Sequence, residues 1–156
     1  IVETLPTAKL FLVTRDGRGV VRSIMGWPQF YGKNSSGAYA LAPLPGDPLE
    51  GEWRVMSRFE KICWAWRDAN ETLMHFIPKE NRLKLEDLAS DFDCFSMRLA
   101  TEIGVEISHE AWLDATSKKS PNATKQYAFP SWEDWTLQEK DAFKRICGQT
   151  MEELGY

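Results

Sequence analysis

Ala8-Lys9-Leu10-Phe11-Leu12-Val13-Thr14-Arg15-Asp16-Gly17-Arg18-Gly19-Val20-Val21-Arg22-Ser23 is the stretch on which the fold turns. A dense apolar run between Pro6 and Gly17 predicts a short buried strand over Ala8 to Thr14. Arg15 ends it, Asp16 is placed to cap a helix, and Gly19 to Met25 form that helix, which stops near Gly26-Trp27-Pro28. A strand, a turn and a helix N-terminus present backbone N–H groups and a positive dipole end to an anion. Arg15 adds a planar fork, and Ser23, eight residues on, adds a hydroxyl donor. This pattern points to a phosphorylated ligand. The competing reading pairs Arg15 with a carboxylate and bonds Ser23 back into its own helix.

Outward from this element, Phe30 to Glu50 is rich in Gly, Pro and Ser and reads as a long surface loop. From Glu52 to about Phe76, apolar residues such as Phe59, Ile62, Cys63, Trp66 and Leu73 recur at three- and four-residue steps, which predicts a long amphipathic helix ended by Pro78. Arg82 to Leu85 reads as a second strand. Phe92 to Ile103 reads as a helix stopped by Gly104, and His109 to about Ala115 as another. A polar, basic loop, Lys118-Lys119-Ser120-Pro121-Asn122-Ala123-Thr124-Lys125, separates it from a last helix near 137–154. Thr136 and Glu139 form a capping box at the start of that helix. Two strands do not make an independent α/β sheet, so further strands are expected before Ile1.

With 156 residues, 43% hydrophobic content and seven Trp, the chain has the size and apolar material of one domain. The net charge of -4 argues against non-specific nucleic-acid binding, which needs a basic surface. No apolar window is long enough to span a membrane. Cys63, Cys94 and Cys147 show no CxxC or metal-like spacing and read as reduced core thiols. No metal site is implied by any spacing. Asn34, Asn70 and Asn122 each begin a glycosylation acceptor triplet, but Asn70 falls within a predicted helix.

Three stretches, in order, resemble the sulfotransferase family that uses 3′-phosphoadenosine 5′-phosphosulfate (PAPS). The first is the strand-turn-helix with Arg15 and Ser23. The second is Leu83-Lys84-Leu85-Glu86-Asp87-Leu88, similar to the Tyr-Glu-Asp-Leu ending of the family's second strand. The third is Trp132-Glu133-Asp134-Trp135-Thr136, then Phe143-Lys144-Arg145-Ile146-Cys147-Gly148 and Leu154-Gly155-Tyr156, similar to its C-terminal helix.

The resemblance implies an α/β fold, P-loop-NTPase-like and three-layered, present here in part as a helix-rich single domain over 1–156 with few parallel strands. It implies that Arg15 and Ser23 hold the 3′-phosphate of PAPS and of its product, 3′-phosphoadenosine 5′-phosphate (PAP). Ser120 and Lys125, in the basic loop before the last helix, match in type the family's further contacts to that phosphate, set against a solvated loop. Arg18 and Arg22 either flank the phosphate or form a solvated helix face. Leu85 stands where many members carry a Tyr near the adenine.

Trp64, Trp66 and Asn70 sit as family residues near the acceptor pocket do, although a Trp stripe at helical spacing also suits a core. His75 and His109 do not occupy the place of the family's base, and read as surface or structural residues. The phosphosulfate loop and the base are expected upstream of Ile1, which leaves the catalytic residues unassigned and this stretch catalytically silent on its own. The activity implied is sulfuryl transfer to a hydroxyl or amine of a small-molecule or glycan acceptor, without metal. A non-catalytic nucleotide- or protein-binding module, or a related P-loop kinase, remains the alternative.

Overall fold

Two short parallel strands, β1 (Leu12–Thr14) and β2 (Arg82–Lys84), form the sheet among the residues that the computed structural model describes, namely 8–32, 35–118 and 129–156. Helices make up most of the rest, so the chain is helix-rich with a small parallel sheet, compatible with an α/β class. It divides into two compact units: Ile1–Arg15 with Thr72–Ala123, and Asp16–Glu71 with Thr124–Tyr156.

In the first unit the register is Leu12↔Arg82, Val13↔Leu83 and Thr14↔Lys84. Leu12, Thr14 and Leu83 are buried, and Thr14 Oγ1 donates to Leu83 O at 3.3 Å. The regular pairing is shorter than the predicted strand, because before Leu12 the backbone is held by a side chain: Asn81 Nδ2 donates to Leu10 O. β2 runs directly into α3 (Leu85–Ser90), whose first turn carries Glu86 and Asp87 where the helix dipole favours negative charge.

The single helix expected over Phe92 to Ile103 is instead α4 (Phe92–Phe95) followed by a wide π-helical turn, Ser96–Ala100. Its N–H bonds reach back five residues, from Thr101 to Ser96 O and from Val105 to Ala100 O. Gly104 closes the segment at φ +70°, a conformation an L side chain resists. α5 (His109–Ser117) is capped by Ser108 and buries Trp112, whose Nε1 donates to Leu88 O at 3.0 Å.

The second unit is built on α1 (Gly17–Met25), residues 58–71 of α2 (Arg58–Phe76) and α6 (Leu137–Glu153). Val21, Ile62, Cys63, Cys147 and Thr150 are sealed from solvent at its centre. The one hydroxyl among them is satisfied, since Thr150 Oγ1 donates to Glu71 Oε1 at 2.6 Å. All three cysteines are free thiols; Cys147 Sγ donates to Cys63 O, and burial pushes the Cys63 thiol up. Phe59, Phe129, Trp132, Trp135 and Phe143 pack with ring centroids 5.1–5.7 Å apart, mostly edge to face.

α1 begins at Gly17, earlier than expected. A Cβ there would stand 3.0 Å from the Trp66 ring, so the glycine allows the helix to lie on the indole. α2 begins later than expected. Ser57 and Glu60 form a reciprocal cap, with Ser57 N–H donating to Glu60 Oε2 and Glu60 N–H to Ser57 Oγ, while 52–56 are hydrogen-bonded turns. The Thr136–Glu139 capping box of α6 is present as expected.

Candidate functional site

The parallel register sets the first part of the candidate site. Because Thr14 is paired with Lys84, the next residues, Arg15 and Leu85, leave the carboxyl ends of adjacent strands together. Open α/β sheets take their ligands at that end of the strands. Arg15 is exposed, and its guanidinium has no hydrogen-bond or ion-pair partner among the described residues. The paired-carboxylate reading of Arg15 is therefore not what the described residues show. Leu85 is itself 44% exposed, an apolar side chain at the same sheet end.

Across the unit boundary after Arg15, Asp16 does what an N-cap should. Its Oδ1 accepts from the Arg18 backbone N–H at 2.8 Å. The same carboxylate takes the Arg18 side chain in a fork, Nη2 to Oδ2 at 2.7 Å and Nε to Oδ1 at 2.9 Å. Arg18 also lies over the Trp132 ring, 5.7 Å from its centroid. Its pKa is raised, chiefly by the Asp16 hydrogen bond. This corrects the opening expectation in one respect. One N–H of the first turn of α1, that of Arg18, already has an anion, and the Arg18 guanidinium is paired with the same carboxylate while its side chain stays partly exposed.

Ser23 lies half-buried farther along α1, and its hydroxyl makes no hydrogen bond to the described residues, including its own helix. Immediately before it, Arg22 Nε donates to Phe129 O at 3.2 Å. Phe129 is the first described residue after the basic stretch, four positions beyond Lys125 in sequence. Ser120 and Lys125 themselves lie outside the described residues, as do Lys119, Asn34 and Asn122. Asp16, Arg18, Arg22, Ser131, Trp132 and Glu133 line a cleft of about 330 Å³ here. Its cationic side chains are balanced by carboxylates, so its chemistry is that of a structural ion network.

Trp64 and Trp66 are buried core residues of α2. Asn70 donates Nδ2 to Trp66 O at 2.7 Å, a bond that ties its amide to the helix. The two histidines pack against rings: His75 on Phe76, and His109 on Phe92 and Trp112. Among the described residues no cluster of His, Cys, Asp and Glu could hold a metal, and no helix is long and apolar enough to cross a membrane.

Sequence reasoning missed two residues that organise the surroundings. Arg58 spreads its guanidinium over the carbonyls of Ile24, Met25, Trp27 and Phe30 at 2.6–3.2 Å, closing the C-terminus of α1 and the turn after it. Asp47 ties the long loop to α2, accepting from Trp64 Nε1 at 2.9 Å and from Arg67 Nη2 at 2.6 Å. A lone Arg at a helix start and a lone Asp in a Pro-rich loop carry no sequence signal for partners so distant.

The chain has no match among family models, curated proteins or solved structures.

Proposed function

We propose that this chain is part of an α/β sulfotransferase domain, with the three-layer P-loop-like fold that the sequence resemblance implies. It takes PAPS as co-substrate and releases PAP. In the reaction, an acceptor hydroxyl or amine loses its proton to a base and forms a bond to sulfur. The bond from sulfur to the bridging phosphate oxygen breaks, and PAP leaves with that electron pair. No described residue is assigned as the base. Arg15 and Ser23 hold the 3′-phosphate, and the basic stretch with Ser120 and Lys125 adds charge around it.

One observation carries the reading. The exposed guanidinium of Arg15 has no partner among the described residues, and it stands beside Leu85 at the carboxyl end of a parallel pair. The Ser23 hydroxyl likewise has no partner among the described residues. The Arg18 N–H at the start of α1 is taken by Asp16, so in this reading side chains supply the larger part of phosphate recognition.

The test is calorimetric titration with PAP against ADP. Wild type is expected to prefer PAP. A charge-assisted contact is worth about 1.5–3 kcal/mol, so Arg15→Ala should weaken PAP by roughly 10- to 100-fold, Ser23→Ala by about fivefold, and neither should change ADP. Equal affinity for the two nucleotides would favour a kinase-like site. Binding of neither would favour a non-catalytic interaction module.

A further inference from the structure

We propose that the hollow between α1 and α2 in the second unit is a binding site for a small, uncharged, ring-bearing molecule with one hydroxyl group. The space exists because α2 presents alanine at two positions one turn apart, Ala65 and Ala69, where α1 offers only Val20 and Ile24. Trp66 forms the floor, and Phe30, Tyr31 and Leu41 from the following loop complete the rim. Its volume is about 260 Å³. An apolar cavity of roughly 150 Å³ admits benzene, so this one takes about two fused rings. It lies just under the roughly 300 Å³ at which pockets for larger ligands begin.

Two of the lining side chains, Asn70 and Tyr31, carry a polar atom that has no partner among the described residues. Asn70 Nδ2 is committed to Trp66 O, which fixes the amide and leaves Oδ1 without a donor among the described residues. The Tyr31 hydroxyl has no partner among them either. Burial, with the Asp68 charge adding to it, pushes this phenol up to about 12, so it stays neutral and able to donate. Tyr31 is the sole described non-glycine residue at positive φ, +52°. Its N–H bond to Tyr39 O at 3.0 Å and its edge contact with Trp53 hold it there. Strain maintained by its surroundings is a common mark of a preset binding position. A ligand hydroxyl can donate to Asn70 Oδ1 or accept from Tyr31, whereas a charge would lose its hydration against these walls with nothing to replace it.

This site is independent of the nucleotide reading. The probe is 2-naphthol, titrated calorimetrically into the whole chain, with naphthalene and 2-naphthoate as controls. 2-Naphthol should bind, naphthalene about fivefold more weakly for want of the hydrogen bond, and 2-naphthoate more than tenfold more weakly. Ala65→Leu should fill the hollow and abolish binding. Ala69→Leu, at an exposed helix position where leucine is well tolerated, should weaken it at least tenfold. Arg15→Ala should leave it unchanged while removing the PAP preference. No heat from 2-naphthol up to its solubility limit, or undiminished binding in folded Ala69→Leu, would overturn the proposal.

Discussion

Asp47 shows how one nearly buried carboxylate holds a long loop. Burial pulls its pKa upward, but the hydrogen bonds from Trp64 Nε1, the Leu49 N–H and Arg67 outweigh that, and the net direction is down. A carboxylate lowered on folding contributes stability above its unfolded pKa of about 3.9, lost as pH falls through the folded value. Asp68 works the other way. Burial, followed by the charge of Asp47, raises it, so its contribution is present below the unfolded value and is lost as pH rises through the folded one. Both partners in the Asp47–Arg67 pair are nearly buried, at 13% and 11% side-chain exposure, so solvent screening does little to weaken it. Glu71 stays near Arg67 Nε when Asp47 is neutralised. Asp47→Asn should therefore cost about 2 kcal/mol at pH 7, less than an orphaned buried charge would. The gap between variant and wild type should close as pH drops below about 4. Urea denaturation at pH 7 and pH 3 measures it, and an equal gap at both would show that the carboxylate charge is not what holds the loop.

At the scale of elements, the helix ends decide what was legible. Thr136-x-x-Glu139 and Asp16 were readable because a cap is a short-range contact written in adjacent residues. Ser57-x-x-Glu60 carries the same signature, but Val55 and Met56 extend the apolar periodicity beyond it, so the expected helix started too early. The π turn at Ser96–Ala100 has no comparable local signature, because a five-residue hydrogen-bond step follows from packing rather than propensity. The candidate site divides similarly. Arg15, Ser23 and the turn between them lie within one motif, whereas the carbonyls that Arg58 binds are about thirty residues away in sequence.

That reach makes Arg58 a test of fork geometry. Arg58→Ala should lower stability by about 2–3 kcal/mol, seen as a fall of roughly 5–10 °C in Tm. Arg58→Lys should recover less than half of this, since an ammonium cannot span four carbonyls. Full recovery by Lys would mean that charge at the end of α1, not shape, is what stabilises the turn.

For the whole molecule, the consequential fact is that α2 belongs to both units: 58–71 lie in the second and 72–76 in the first. A helix propagates cooperatively through its hydrogen-bond ladder, so melting one part frays the other. The first unit has only a modest described core, in which Leu12, Leu83, Leu88 and Trp112 are the principal buried side chains beside the end of α2. Its two-stranded sheet is below the size that is stable alone. The two units should therefore unfold together. The sequence supplies the probe, because Trp112 is the sole tryptophan in the first unit and the other six fall in the second. With fluorinated tryptophan incorporated, the fluorine resonance of Trp112 should disappear in urea at the same midpoint as those of Trp64 and Trp66, as a two-state transition requires. An earlier midpoint for Trp112 would mean that the strand end carrying Arg15 melts before the helix carrying Ser23. In that case the nucleotide preference should be lost at the Trp112 midpoint, while the 2-naphthol site should persist to the later one.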